Sequence, residues 1–516
     1  MRTRRDFLAD VGRGMLVAGI GSSLASDLGI SLAFADDAPE RLTFGKLESL
    51  VSLMQESKAD ELLPMLVERL KNGTDLSQLV SAAALANARR FGGEDYIGFH
   101  TLMALSPALA MAKEMPDERR ALPVFKVLYR NSDNIQQKGG PKNEVLHPVK
   151  PATLEKEPAG CEQLRELVRK RNIESADRAF AALCQGKADE AFNDLLPTLH
   201  DGCEVHRVVL VSRAWDLVNL IGTEQANTLL RQSVHYCVKQ EEWTSKHFSD
   251  VRALLPKLLD KHRLLDAKKG TKAAEDAWVD KLCKTLFEAN PEQAAEAAAA
   301  ALAEGFEPDA IAEAVCLAAN QLTLRDAGRP QNQTSPNKPV GSVHGDSIGV
   351  HASDSANAWR NIARTANARN CFASLIMAAY QVAHDRGDRG GEFQKWEPRP
   401  SAEAREKVTA KEPDALLKEA EGAIKEKNQD LACAIVSRYG ELGHDAAAIR
   451  GLLLNFAVSE DGALHAEKYF RTTTEEFERT RKPFRWRQLV ALARVTASEC
   501  GYPAPGYEQA CKLLKV

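Results

Sequence analysis

Four histidines stand at the same place in four segments that align without gaps. His100 follows Gly98-Phe99 and leads into Leu102-Met103-Ala104-Leu105, and His206 follows Glu204-Val205 and leads through Val208-Val209-Leu210 to Arg213-Ala214-Trp215. His351 follows Gly349-Val350 and leads to Ala356-Asn357-Ala358-Trp359, and His465 follows Ala463-Leu464 and leads to Tyr469-Phe470. Twenty-nine residues after each histidine come Tyr129, His235, Tyr380 and Arg494, all hydrogen-bond donors in apolar surroundings. Imidazoles gathered in one site suit a first-row transition metal or a proton relay near neutral pH. On this reading His100, His206, His351 and His465 are metal ligands or acid–base groups, and Tyr129, His235 and Tyr380 orient them. His344, two helical turns before His351 and close to Asp346 and Asp354, is a further candidate ligand. His200, Cys203 and His206 also recur at three-residue spacing, and neither cluster has the fourth ligand of a standard zinc pattern. The competing reading is structural: each histidine bonds locally and holds its own hairpin in register, since buried polar groups need partners.

The elements that must position these residues are helices. Apolar residues recur at three- and four-residue spacing nearly everywhere, and strand-like alternation is almost absent. A polar break follows each histidine segment, at Pro116-Asp117-Glu118, Gly222-Thr223-Glu224, Thr365-Ala366-Asn367 and Arg481-Lys482-Pro483. A helix of about 14 residues, a turn and a returning helix make an antiparallel hairpin. A histidine at the start of the first helix and a residue ten positions into the second then meet at the open end. An amphipathic helix precedes the histidine, as in Leu76 to Ala88 and Ile311 to Leu324. The expected fold is therefore all-α: four helical-hairpin units of three helices each, stacked as a solenoid or closed into a bundle. The units fall at 40–135, 161–265, 272–385 with an inserted loop at 327–343, and 414–516, joined by linkers at 131–160 and 386–413. Asn290-Pro291 is expected to open an Ala-rich helix that Gly305 closes.

The N-terminus carries Thr3-Arg4-Arg5-Asp6-Phe7-Leu8, a twin-arginine export pattern, then a weakly apolar stretch and Ala33-Phe34-Ala35. Residues 1–35 read as a signal peptide cleaved after Ala35, with the Tat translocase as the partner during export and a periplasmic or secreted destination. Asp27 and the many small residues of that stretch argue against a stable membrane helix. Because the Tat route passes folded proteins, many with a cofactor already inserted, it raises the expectation of a metal or redox group. A net charge of −4 with mixed signs, and no basic stripe with interleaved aromatics, exclude an obvious nucleic-acid surface. The ten cysteines include no C-x-x-C pair, and five of them lie in helical apolar patterns, where Cys acts as a small hydrophobe. There is no Walker loop, Gly-x-Ser-x-Gly elbow or His-Glu-x-x-His.

A histidine opening an Ala-rich helix, a short break and a second helix ending in an aromatic resemble the repeated unit of the questin oxidase-like family. The resemblance rests on Val205-His206 to Tyr236 and Val350-His351 to Tyr380, and more loosely on the other two copies; the fourth has Arg494 where the others have Tyr or His. It implies an all-helical oxidoreductase, in a family associated with oxygen-dependent ring cleavage of polycyclic phenolics using reduced nicotinamide. A metal- or quinone-linked oxidation suits an exported enzyme better. The expectation is an exported oxidoreductase with a histidine-lined pocket for a small-molecule substrate. The alternative, from a different class, is a non-catalytic helical scaffold that binds a protein or small ligand.

Overall fold

The computed structural model describes residues 40–157, 159–387 and 392–516; the twin-arginine pattern and the Ala33–Ala35 cleavage site lie outside them. Phe44–Val516 is one compact unit. It is all-α: among the described residues only isolated β-bridges accompany the helices. No described helix is long and apolar enough to cross a membrane.

Twelve helices make the frame of the site. They are α1 (Leu76–Phe91), α2 (Tyr96–Glu114), α3 (Leu122–Gln137), α4 (Ala188–Leu199), α5 (Val205–Ile221), α6 (Ala226–His247), α7 (Pro308–Arg325), α8 (Ile348–Thr365), α9 (Ala368–Gly387), α10 (Ala446–Ser459), α11 (His465–Arg479) and α12 (Trp486–Glu499). Within each group of three the helices pack on one another. The histidine-bearing helices α2, α5, α8 and α11 also pack in sequence, and α11 returns to α2, so the contacts close on themselves. A second set of contacts follows the same circular order: α1 on α6, α4 on α9, α7 on α12 and α10 on α3.

The central position of these helices explains their composition. From Leu79 to Phe91 every residue of α1 is buried, including Ala82, Ala83, Ala84, Ala86 and Ala88. Small side chains on all faces let neighbouring helix axes approach closely, where a helix at the surface needs only one apolar stripe. α8 comes close to α7: a Cβ at Gly349 would lie 2.3 Å from the backbone nitrogen of Thr323. Local signals behave as expected. Asn290 and Gln293 form a capping box on Pro291–Ala303, and Gly305 ends it with a left-handed φ of 82°. The 327–343 stretch holds no α-helix, and among its described residues the stretch between Gly387 and Pro413 holds one short one, Ala402–Lys407. All ten cysteines are free, seven of them buried.

Candidate functional site

His100 is the fifth residue of α2, His206 the second of α5, His351 the fourth of α8 and His465 the first of α11. Because these four helices pack around one axis with their N-termini at the same end, the four rings meet. Their centroids form a closed circuit: His100–His206 4.8 Å, His206–His351 5.6 Å, His351–His465 5.4 Å and His465–His100 5.0 Å. His100 and His465 are buried, while His206 and His351 are partly exposed.

The outward nitrogens are held by acceptors. Nδ1 of His100 lies 2.8 Å from the carbonyl oxygen of Tyr96, and Nδ1 of His465 lies 3.0 Å from that of Ala463. Nδ1 of His206 meets the carboxylate of Glu204, which also accepts 2.6 Å from the Tyr236 hydroxyl and caps α5 by accepting from the Arg207 N–H. Burial would raise the Glu204 pKa, but the His206 ring beside it and the hydrogen bonds from His206 and Tyr236 bring it down to about 2. A carbonyl or carboxylate can only accept, so Nδ1 carries a proton in all three rings, and in His100 and His465, which burial keeps neutral, Nε2 is bare.

The four Nε2 atoms face one another in pairs. Nε2 of His206 is 3.2 Å from Nε2 of His100, and Nε2 of His351 is 3.4 Å from Nε2 of His465. Two unprotonated nitrogens at 3.2 Å repel unless a cation, either a proton or a metal ion, lies between them. Two imidazoles on one tetrahedral ion, with bonds of about 2.0–2.1 Å, stand about 3.3 Å apart. Protonation of three of the rings is disfavoured. Burial first, then the Lys468 charge and the neighbouring imidazoles, hold His100 and His465 well below the usual histidine range; burial and the neighbouring His206 bring His351 down to about 3. Four helix N-termini, each equivalent to roughly half a positive charge, oppose any added cation, a divalent ion more than a proton. Among the described residues no set of three or more His, Cys, Asp or Glu side chains converges as metal ligands do, so the tetrad is two facing pairs rather than one four-ligand cage.

Backbone strain delivers the fourth histidine. Gly462, Ala463 and Leu464 have φ of 50°, 47° and 67°, so two residues with side chains occupy the left-handed region immediately before His465. That conformation costs about 1–2 kcal/mol for each non-glycine residue, and such strain persists where the surroundings over-determine it. It turns the Ala463 carbonyl toward Nδ1 of His465. On the other side Gly345 is required by space: a Cβ there would lie 1.9 Å from the His465 Cβ.

The expected orienting residues bond elsewhere. The Tyr129 hydroxyl donates to Asp60 at 2.9 Å, Tyr380 donates to Asp250 at 2.6 Å, and His235 bridges Glu94 at 3.0 Å and Asp177 at 2.8 Å. Arg494, at the fourth such position, donates to the carbonyls of Thr323 and Asp326. The reason is level: from each histidine to the end of its helix (His100–Glu114, His206–Ile221, His351–Thr365) runs about four turns, so a residue some ten positions, under about three turns, into the return helix falls short of the mouth. The level of His100 is marked instead by Thr101 donating to Asn131 at 3.1 Å, and in the second group the contact comes from Tyr236, the neighbour of His235. His344 stays outside the ring of four: its Nδ1 is 3.7 Å from Glu499, and it shares with His465 and Glu499 a cavity of about 10 Å³, room for about one water. His200 bonds Ser374 at 3.1 Å, and Cys203 packs against the Met377 carbonyl, so neither joins His206.

Spacing did not single out several residues that complete the site. Tyr96 and Phe99 wall His100 and His206, with ring centroids 4.4 to 5.9 Å away, and Tyr96 is exposed. Lys468 lies one turn below His465 on α11 and is buried; burial, opposed by Asp354 and Glu467, lowers its ammonium pKa to about 8. Asp354, one turn below His351, accepts from Thr472 at 2.7 Å and is raised by burial. Glu204 two residues before His206, and an acid or a lysine one turn after a repeat histidine, were the available signals. No family model matches the chain, nor does any curated protein or solved structure.

Proposed function

We propose that the chain is an exported all-helical oxidoreductase whose chemical centre is the imidazole tetrad of His100, His206, His351 and His465, a facing pair of which shares a first-row transition metal through Nε2. One observation carries the reading: Nδ1–H is fixed outward in three of the four rings, and the Nε2 atoms face inward in pairs at the separation that a shared ion imposes. Outer hydrogen bonds of this kind orient metal-bound imidazoles and raise their basicity. Bound there, such a metal supplies electron-transfer or Lewis-acid chemistry. Glu204 holds His206 and adds a negative charge beside it, Tyr236 fixes Glu204, and Tyr96 with Phe99 offers an aromatic wall at the open side. A flat phenolic substrate, the class implied by the questin oxidase-like resemblance, fits that wall better than the cavity beside His465. The twin-arginine pattern supports export in the folded state. A scaffold without a centre would leave four imidazoles apart and locally satisfied, and the 4.8 Å and 3.2 Å contacts weigh against it.

A second reading is favoured by the lack of a converged three-ligand set and by the four positive helix ends. In it the pairs each share a proton, and the tetrad is an acid–base centre without metal. Cobalt separates the two. Chelator-treated full chain titrated with Co²⁺ is expected to develop visible absorption bands of imidazole-bound cobalt. A His206→Ala plus His351→Ala variant with unchanged circular dichroism should not develop them. The metal reading fails if wild type shows no bands, or if the variant shows the same ones.

A further inference from the structure

We propose that a second site, separate from the tetrad, binds a flat organic carboxylate. A cleft of about 950 Å³ is lined by residues of α7, of α12, of the helix Asp276–Glu288 and of the helix Gln429–Glu441. This volume suits a small organic ligand, which the space of about 10 Å³ beside His465 does not.

Arg325 is the anchor. Its Nη1 donates to the Trp396 carbonyl at 2.7 Å, and its guanidinium lies 5.4 Å from the centre of the Phe287 ring, so its plane is set by two contacts. Its Nε is buried and has no hydrogen-bond partner. Nε is thus closed off from the cleft, and Nη2, which makes no hydrogen bond, is the donor left to meet a carboxylate there. Trp486 supplies a flat wall. Its indole lies against the backbone of the helix Gln429–Glu441, where a Cβ at Gly440 would come within 2.3 Å of the ring, and Phe477 meets it edge-on at 5.3 Å.

The charge balance fits an anion. Two of the lining acids are already engaged, Asp280 by Lys284 at 2.6 Å and Glu441 by Arg405 at 3.0 Å. Lys482 has no ion pair among the described residues, and Arg487 stands 3.9 Å from Asp280. Arg325, Arg487 and Lys482 thus face Glu288 as the single lining acid without a cation partner. A ring against Trp486 with its carboxylate on Arg325 uses both features at once.

The test uses the full chain and 2-naphthoate, followed by calorimetry and by tryptophan fluorescence, with the uncharged methyl ester as control. Saturable binding is expected, with the ester at least about tenfold weaker. Arg325→Met, which keeps much of the volume but loses the charge and the Nη2 donor, and Trp486→Leu should each weaken 2-naphthoate by about tenfold or more. The His206→Ala plus His351→Ala variant should bind as wild type. The proposal is overturned by no saturation up to roughly 10 mM, by an ester that binds as tightly, or by Arg325→Met and Trp486→Leu variants that bind undiminished. The ester comparison needs no variant, so a folding defect cannot hide the answer.

Discussion

Replacing Lys126 with Met is expected to cost about 3–5 kcal/mol of unfolding free energy, the largest effect foreseen for a single side chain outside the tetrad. The Lys126 side chain is 2% exposed, and its ammonium lies 2.7 Å from Glu467, which is fully buried. It also donates to the carbonyl oxygens of Ala457 at 2.8 Å and Glu460 at 2.6 Å. Neither Glu467 oxygen has a hydrogen bond, so the ion pair is all that offsets the burial of that carboxylate. Met would fill much of the volume while leaving a charge and two carbonyls unmet. Adding Glu467→Leu to the variant should recover most of the loss, because a buried pair replaced by apolar groups is close to neutral. Urea unfolding at pH 7 reads both numbers. A single variant within 1 kcal/mol of wild type would remove the argument. The position matters beyond stability: Lys126 ties α3 to the end of α10 and the start of α11, where His465 sits.

Glu499→Gln should do the opposite, and only at high pH. Burial pushes the Glu499 carboxyl up to about 7; the Gly345 N–H at 3.0 Å and Lys126 oppose the rise, and Glu467 and Asp346 add to it. The native state therefore holds this proton more tightly than the unfolded chain, whose carboxyl titrates near 4.5. Stability from this group is intact below about pH 4.5 and is lost as pH climbs to about 7, a total of about 3 kcal/mol. Gln keeps an acceptor for Gly345 and cannot ionise. The variant should match wild type at pH 4.5 and exceed it by up to about 3 kcal/mol at pH 8. A stability difference that does not change with pH would show that Glu499 does not titrate in this window.

The sequence disclosed the centre better than its surroundings. A histidine at one position in four aligned segments places four imidazoles at equivalent helix starts, and these meet because the four helices close into a circuit instead of stacking in a row. The all-α class followed from apolar spacing, and the Asn290 cap and the Gly305 stop from residues with specific backbone roles. The residues 29 positions on fall short because each histidine stands about four turns from the end of its helix while ten positions of the return helix climb back under about three, and an error of one turn moves a side chain out of reach. Tyr236 was next to the residue that spacing selected. Ala463 and Leu464 give no sign in sequence of their left-handed backbone, since neither residue type favours it; only the packed surroundings of His465 impose it. Gly345 and Gly349 are similar, being required by neighbours more than a hundred and about twenty-five residues away in the chain. Lys468 read as an ordinary charged residue until α11 was seen to be buried on nearly every face.

The most direct test of the tetrad as a metal centre is elemental mass spectrometry of the full chain purified without chelators. The account predicts a first-row transition metal at about one ion per chain, lost from the His206→Ala plus His351→Ala variant while its fold is retained. Metal-free wild-type protein, or a metal content that the double variant keeps, would contradict it.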